Sequence, residues 1–446
     1  MTAASTLPPR ALTDPELLTV LSVDRSGALP GRPLAVVRPT SVDEVQDVMR
    51  WATTTRTPVV PRGAGSGLAG GATAADGAVI LDLQALDRII DIDPLDETAT
   101  VEPGVITSHL DRTAREHGLF YAPDPASADL STLGGNIATN AGGMRCIKYG
   151  VTADAVLGLD IVLSDGRLLH TGGATLKGVT GYDLTSLFVG SEGTLGVVVG
   201  ARLRLRPVPS TVATATAAFD DVAGAADACT DLASARLTPS LLELLDARTL
   251  ETIDRVQGTD LRSRGAALVI CQADGDDARS QIEAIAAVLA KRATRVEHTT
   301  DDQQADELLR ARRLALPSIE ALGRPLIEDI CVPRSRLAHA IAGIERIGTA
   351  TGVSVHTFAH AGDGNVHPIL SYDRSLTEPP AVVHDAARQI FALALELGGT
   401  LTGEHGIGLL KREFIGSEIG AIGLDVHASI KQALDPLGLL NAGKAF

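Results

Sequence analysis

The segment Pro61-Arg62-Gly63-Ala64-Gly65-Ser66-Gly67-Leu68-Ala69-Gly70-Gly71 decides how the first half of the chain is read. It follows the strand-like run TPVVP at 57–61, and Gly65, Gly67 and Gly70 meet the G-x-G-x-x-G spacing of a Rossmann dinucleotide site. Such a site needs a helix directly after the loop and an acidic residue about 20 positions on. Here Gly71, Asp76 and Gly77 interrupt any helix, and the next strand, AVILDL at 78–83, begins at once. The spacing is met and its context is not, which argues against a Rossmann NAD site. Five glycines in eleven residues still let successive N–H groups converge in a concave nest that holds a pyrophosphate without a helix dipole. A mobile surface loop is the plainer alternative.

Outward from this loop, the pattern predicts a mixed α/β start. LAVVR at 34–38 reads as a strand, and VDEVQDVMRWATT carries apolar residues at helical spacing behind Thr40 or Ser41 as N-cap. Short β runs follow at 89–93, 98–104, 156–172 and 195–209, with Asp165-Gly166 as a hairpin turn. After Pro207 and Pro209 the chain becomes Ala- and Leu-rich with helical periodicity. These changes predict an N-terminal extension over 1–33, one domain over 34–208 and another over 209–446.

Composition narrows the function. The chain has 446 residues, with 39 Lys+Arg against 55 Asp+Glu and a net charge of -16, and only 3% are aromatic. That repels phosphate backbones and offers few stacking platforms, so no nucleic-acid partner is expected. Cys146, Cys229, Cys271 and Cys331 are far apart, which suits small buried hydrophobes rather than an iron–sulfur centre. No run of 18 apolar residues occurs, so the chain is not expected to cross a membrane. We expect it in the cytoplasm, with peripheral contact at the inner membrane face left open. Two more glycine-rich segments, PDPASADLSTLGGNIATNAGG at 123–143 and FVGSEGTLGVVV at 188–199, add hydroxyls, the Asn136 and Asn140 amides, and further turns. A ligand approached by three such segments is long and flat, which favours FAD over a mononucleotide.

PRGAGSG, STLGGNIATNAGG and GSEGTLG, in that order, resemble the FAD-binding domain of the vanillyl-alcohol oxidase and p-cresol methylhydroxylase (PCMH) superfamily. HAGDGNVH at 360–367, GEHGIG at 403–408 and the NAGK at 441–444 resemble the FAD-linked oxidase C-terminal domain. Together they resemble the D-lactate, D-2-hydroxyglutarate and glycolate dehydrogenases, over about residues 34–446. The resemblance implies an α+β fold: a two-subdomain PCMH-type FAD-binding domain, then an α+β, ferredoxin-like cap and substrate domain whose C-terminal helical segment returns to the flavin. It implies flavin contacts from Pro61, Arg62, Gly63, Ala64, Gly65, Ser66 and Gly67 in the first loop. Pro125, Ser127, Thr132, Gly135, Asn136 and Thr139 would contribute from the second, Glu192, Gly196 and Val198 from the third, and Asn441 near the end. Members that bind flavin covalently commonly carry His where this chain has Ser66, so noncovalent FAD is expected.

His360 and His367 read as two strand ends joined by a glycine-rich turn, with imidazoles facing across a hairpin mouth and Cβ atoms ~5 Å apart. A lone His pair is more often structural. Glu404 adds a carboxylate, and two His with one carboxylate form an open zinc set. The resemblance implies that His360, His367 and Glu404 hold a divalent metal, usually zinc, and that His405 is the base. Oxidising a 2-hydroxy acid requires loss of the hydroxyl proton and of the hydrogen on the same carbon. A chelated metal lowers the hydroxyl pKa, and a neutral His near pKa ~6.5 can take the proton.

The substrate carboxylate needs a cation, and Arg312 in LLRARRLALP at 308–317 best matches the carboxylate-binding arginine of similar proteins. The competing reading makes Arg310, Arg312 and Arg313 a solvated helix face. PLIEDICVP at 325–333 has acidic Glu328 and Asp329 and lacks the lysine of the 2-hydroxyglutarate enzymes. This departure points to lactate, glycolate or another monocarboxylate. A second departure, Ala442 where relatives usually have Pro, weakens the expected restraint on the tail. Of the other histidines, only His356 is placed near the site. The resulting expectation is a metal-assisted dehydrogenase passing electrons to a quinone, an electron-transfer protein or a cytochrome. An oxygen-using oxidase and a noncatalytic flavin subunit are the alternatives, and a homodimer and a hetero-complex both stay open.

Overall fold

Ser41 starts the first long helix by accepting the N–H of Glu44 on its side chain, and the helix Val42–Thr55 buries Val45, Val48, Met49 and Ala52. A computed structural model describes residues 7–175 and 177–445; positions 1–6 of the expected extension, Leu176 and Phe446 lie outside it. The helix packs on a parallel sheet in the order Ala35–Val37, Val79–Asp82, Val59–Arg62. No helix lies between Arg62 and Val79, so these neighbouring parallel strands are joined by the glycine loop alone. A second, antiparallel sheet runs Ile89–Asp93, Thr98–Val101, Val197–Arg204, Val156–Val162, Leu168–Gly172 and has its own core around Leu133, Leu159, Phe188 and Leu203.

These sheets belong to one compact unit made of the described residues within 1–143, 150–208 and 404–446. The last segment contributes the helix Ile415–Leu434, and then Leu439 and Leu440 enter the core beside Val59. Val59 donates its N–H to Leu439 and accepts that of Asn441, each at 2.8 Å, so the tail adds a short rung to the strand that leads into the glycine loop. Ala442 therefore lies in a stretch held by backbone bonds on its N-terminal side and by Ala445 N–H to Gly408 on the other.

The second unit holds residues 144–149 and 209–403. Its antiparallel sheet runs Arg295–Thr299, Val212–Phe219, Ala267–Asp274, Leu241–Leu245, Ser354–His360, Asn365–Tyr372, Arg324–Ile327, with Ile330–Cys331 also on Asn365–Tyr372. Leu241 and Leu245 lie under the helices Ala247–Gln257 and Asp302–Leu322, packed with Phe358 and Ile369. Because strand side chains alternate, Glu243 shares that covered face. Burying each of these Leu, Ile and Phe side chains contributes ~2 kcal/mol, which is what holds the helix Asp302–Leu322 over the strands. Cys229 and Cys271 are buried as expected, while Cys146 and Cys331 are half-buried; none of the four forms a disulfide.

Candidate functional site

In the first unit the three glycine segments meet. A Cβ on Gly63 would overlap Thr132 Oγ1, so the first loop passes too close to the second for any side chain there. Thr132 caps the helix Leu133–Thr139 by accepting the Gly135 N–H at 3.3 Å. The C-terminal end of that helix takes the third segment: Gly190 donates to Ile137 and Glu192 to Ala138. Asn441 Nδ2 then bridges the first and third segments by donating to Gly71 and Glu192 carbonyls at 2.9 and 2.7 Å. Lys444 Nζ also bonds the Gly71 carbonyl, and burial pushes its pKa down to about 8.

This arrangement fits a pyrophosphate-bearing ligand. None of the N–H groups of Gly63, Ala64, Gly65 and Ser66 donates to another of the described residues, and the buried Arg62 Nε and Asn441 Oδ1 have no partner among them. Arg62 is buried, which lowers its pKa, and its Nη1 reaches the Ala72 carbonyl at 3.4 Å. Pro125 and Ser127 form a turn through their carbonyls, which accept Ala128 and Leu130 at 2.8 Å.

Several side chains expected to face the ligand are spent inside the fold. Asn136 Nδ2 donates to Thr107 at 2.6 Å, Asn140 Oδ1 accepts the Ala153 N–H, and Thr139 Oγ1 bonds the Gly135 carbonyl. Gly196 is packed against Ile161 and Phe188, and Val198 lies in the strand core. Glu192 accepts Ile407 and Gly408 N–H groups at 2.8 Å each. Burial raises its pKa, against the pull of those bonds and of Lys444 and Lys411. Its carboxylate thus holds the segment that carries Glu404 and His405.

In the second unit, the hairpin Ser354–His360 and Asn365–Tyr372 carries the histidines. Gly364 closes the turn at φ +89, with its α-carbon against the Val332 carbonyl. His360 pairs with Asn365 and His367 with Phe358, so the imidazoles are diagonal neighbours rather than directly opposite. Their ring centroids are 4.9 Å apart at 84°. The hairpin thus brings together two of the three expected donors, His360 and His367, and the third, Glu404, opens the last segment of the first unit. His360 and His367 are buried, while Glu404 and His405 are half-buried. Asp329 positions the preceding residues by accepting Thr402 Oγ1 at 2.9 Å and Gly403 N–H at 2.5 Å. His356 is instead fixed by Thr252 and Ser371, at 3.0 and 3.3 Å.

The three arginines separate. Arg310 and Arg313 are exposed, and Arg313 pairs with Asp306, whereas Arg312 turns inward. Its Nε donates to Glu243 Oε2 at 2.6 Å, and its guanidinium lies 4.3 Å over the Phe358 ring. Glu243 Oε1 accepts from His360 Nδ1 at 2.5 Å. Burial opposes the Glu243 charge, but His360 and Arg312 outweigh it and hold the carboxyl below its usual range. An ionised carboxylate only accepts, so His360 Nδ1 carries a proton, and a metal can be ligated only through Nε2. Sequence reasoning missed Glu243. Its signal was a single acid among four leucines in LLELL at 241–245.

Comparison with known proteins identifies the family. Residues 33–172 match the family described as FAD binding domain, and residues 208–445 match FAD linked oxidases, C-terminal domain. The chain belongs to the FAD-linked oxidase family and is an FAD-dependent oxidoreductase. It is 40% identical to glycolate oxidase subunit GlcD of Bacillus subtilis, over 96% of this chain and 92% of that protein. Identity is 34% to a D-lactate dehydrogenase of Archaeoglobus fulgidus, covering 92% and 90%. It is 36% to a D-2-hydroxyglutarate dehydrogenase of Xanthomonas citri pv. viticola, covering 98% and 94%. The solved structure of p-cresol methylhydroxylase with substrate bound superposes with a TM-score of 0.81 at 18% identity, covering 98% of this chain and 93% of the other, which shows the PCMH-type fold. No helix among the described residues is long and apolar enough to cross a membrane.

Proposed function

We propose that this protein oxidises a small D-2-hydroxy acid of the lactate or glycolate type to its 2-oxo acid, using noncovalent FAD and a divalent cation. The observation that carries the reading is the His360–His367 imidazole pair beside the buried Glu243–Arg312 pair, in an FAD-linked oxidase, with Glu404 as the third proposed ligand. Bound flavin supplies the two-electron oxidation, and the glycine segments around Gly63, Thr132 and Glu192 would hold it. A cation, zinc by the chemistry of two imidazoles and one carboxylate, supplies Lewis-acid polarisation of the substrate hydroxyl.

The chain's own residues do the rest. Arg312 grips the substrate carboxylate through its Nη nitrogens while Glu243 occupies Nε. His405 accepts the hydroxyl proton as the carbon-bound hydrogen leaves with its electron pair. Asp329, tied to Thr402 and Gly403, holds the backbone before Glu404, so it serves structure and supplies no cation for a second substrate carboxylate. This supports a monocarboxylate.

Anaerobic stopped-flow bleaching of the flavin tests the reading, using D- and L-lactate, glycolate and D-2-hydroxyglutarate with and without a chelator. Rapid bleaching by D-lactate or glycolate, suppressed by the chelator, is expected. If no hydroxy acid bleaches the flavin, the proposal fails. The electron acceptor is a quinone, an electron-transfer protein or a cytochrome. The GlcD relative is by name a subunit, which supports a hetero-complex.

A further inference from the structure

We propose that Glu243 is a positioning residue whose single buried carboxylate fixes His360 as a metal ligand and Arg312 as the carboxylate grip, so that the two binding events share one anchor. The inference rests on the metal site proposed above. Glu243 is directly opposite His360 across the paired strands Leu241–Leu245 and Ser354–His360. Its side chain is fully buried and its two oxygens are divided, one to His360 Nδ1 at 2.5 Å and one to Arg312 Nε at 2.6 Å. Arg312 approaches from the helix Asp302–Leu322 and is held from below by Phe358, itself the cross-strand partner of His367. One face of three adjacent strands therefore carries the anchor, both imidazoles and the ring that seats the arginine.

The chemistry of the shared contact is specific to a carboxylate. Both neighbours present N–H groups, and only an acceptor with two free oxygens meets both. A glutamine has one oxygen and one NH2. Whichever way it turns, a donor faces a donor, and if that donor faces His360 the imidazole must shift its proton to Nε2, the nitrogen a metal needs. Outer partners of this kind set the tautomer and ring orientation of ligating histidines, and losing one typically costs 10–100-fold in metal affinity. The same substitution unseats Arg312. Weakening of metal binding and weakening of carboxylate binding thus arise together from a residue that touches neither ligand.

The test uses the full-length, FAD-loaded protein as wild type, E243Q, R312M, the double variant E243Q/R312M and H360A. Zinc content is measured after dialysis, and zinc Kd by competition with a chromophoric chelator; flavin content and circular dichroism report folding. The wild type should hold one zinc and H360A none, while E243Q keeps flavin and shows a zinc Kd raised 10–100-fold. Cobalt-loaded E243Q should show an altered d–d spectrum, which a purely structural role would leave unchanged. If E243Q does not fold, the double variant decides, because it leaves no buried cation without its counter-charge. Its Kd should exceed that of R312M by the same factor. A wild-type zinc Kd in E243Q, or equal Kd values in the double variant and R312M, overturns the role of Glu243 alone. Equal zinc content in wild type and H360A overturns the metal site itself, and this inference with it.

Discussion

Glu192 accepts the backbone N–H of Gly408 at 2.8 Å across 216 positions of sequence, and that of Ile407 at the same distance. The third glycine segment is thereby tied to the loop that carries His405. Glu192→Gln keeps the shape and replaces one acceptor by a donor facing an N–H. A lost bond to a buried backbone donor costs ~1–3 kcal/mol. We expect E192Q to retain FAD and to slow substrate reduction of the flavin ~10-fold or more, measured by rapid-mixing absorbance. Reduction at the wild-type rate would leave this tie without a role in turnover.

His405→Ala should leave both flavin and zinc bound while flavin reduction by substrate falls ~100-fold or more, the range set by loss of a general base. Flavin and metal stoichiometry are measured on the same sample as the rate. Retained reduction removes His405 as the base.

Gly63 and Gly67 are expected to differ sharply. Alanine at 63 drives its Cβ into Thr132 Oγ1, and turning that hydroxyl away removes the cap of Leu133–Thr139, worth ~1 kcal/mol. Alanine at 67 finds its nearest neighbour, Asp24, at 4.0 Å. G63A should lose most bound FAD and G67A little, as read from the 450-nm to 280-nm absorbance ratio of purified protein.

Ser66 stands where a covalent attachment residue would be, so precipitation with acid should leave the yellow colour in the supernatant. A yellow pellet contradicts noncovalent FAD.

His356 gives the second unit a pH signature. Burial lowers its pKa to about 4, against ~6.5 in the unfolded chain. Between these values the unfolded state binds the proton and the folded state does not. Stability therefore falls as pH drops from ~6.5 towards 4 and levels off below, by up to ~3 kcal/mol. His356→Gln should remove that share, seen as less loss of amide protection in Ser354–His360 between pH 7 and 4.5 than in wild type. Equal losses would show that His356 does not carry it.

Local features of this site were readable from sequence and distant pairings were not. The failed Rossmann context after Gly70 was visible because helix breakers and a strand follow directly. His360 and His367 could be assigned to a hairpin because they lie only seven positions apart, although their diagonal register depends on where Asn365 pairs. Glu243 escaped notice because its partner lies 117 positions away and only strand pairing brings them together. Glu192 was assigned to the flavin by resemblance, yet its carboxylate is used on Ile407 and Gly408. Arg312 could not be told from Arg310 and Arg313 by periodicity, since all three lie within one helical turn, and packing against Phe358 selects it.

The clamp of Asn441 and Lys444 on Gly71 bears on biosynthesis. A ribosome makes the loop 370 residues before it makes Asn441. Throughout that interval the nascent chain carries the amides proposed to hold the pyrophosphate without the side chains that bond to their loop. The second unit is built in the meantime, between the two parts of the first. Cofactor capture is thus deferred until residue 441 has been made, and a chain that stalls or is clipped before it should emerge colourless even with its glycine motifs and its histidines present.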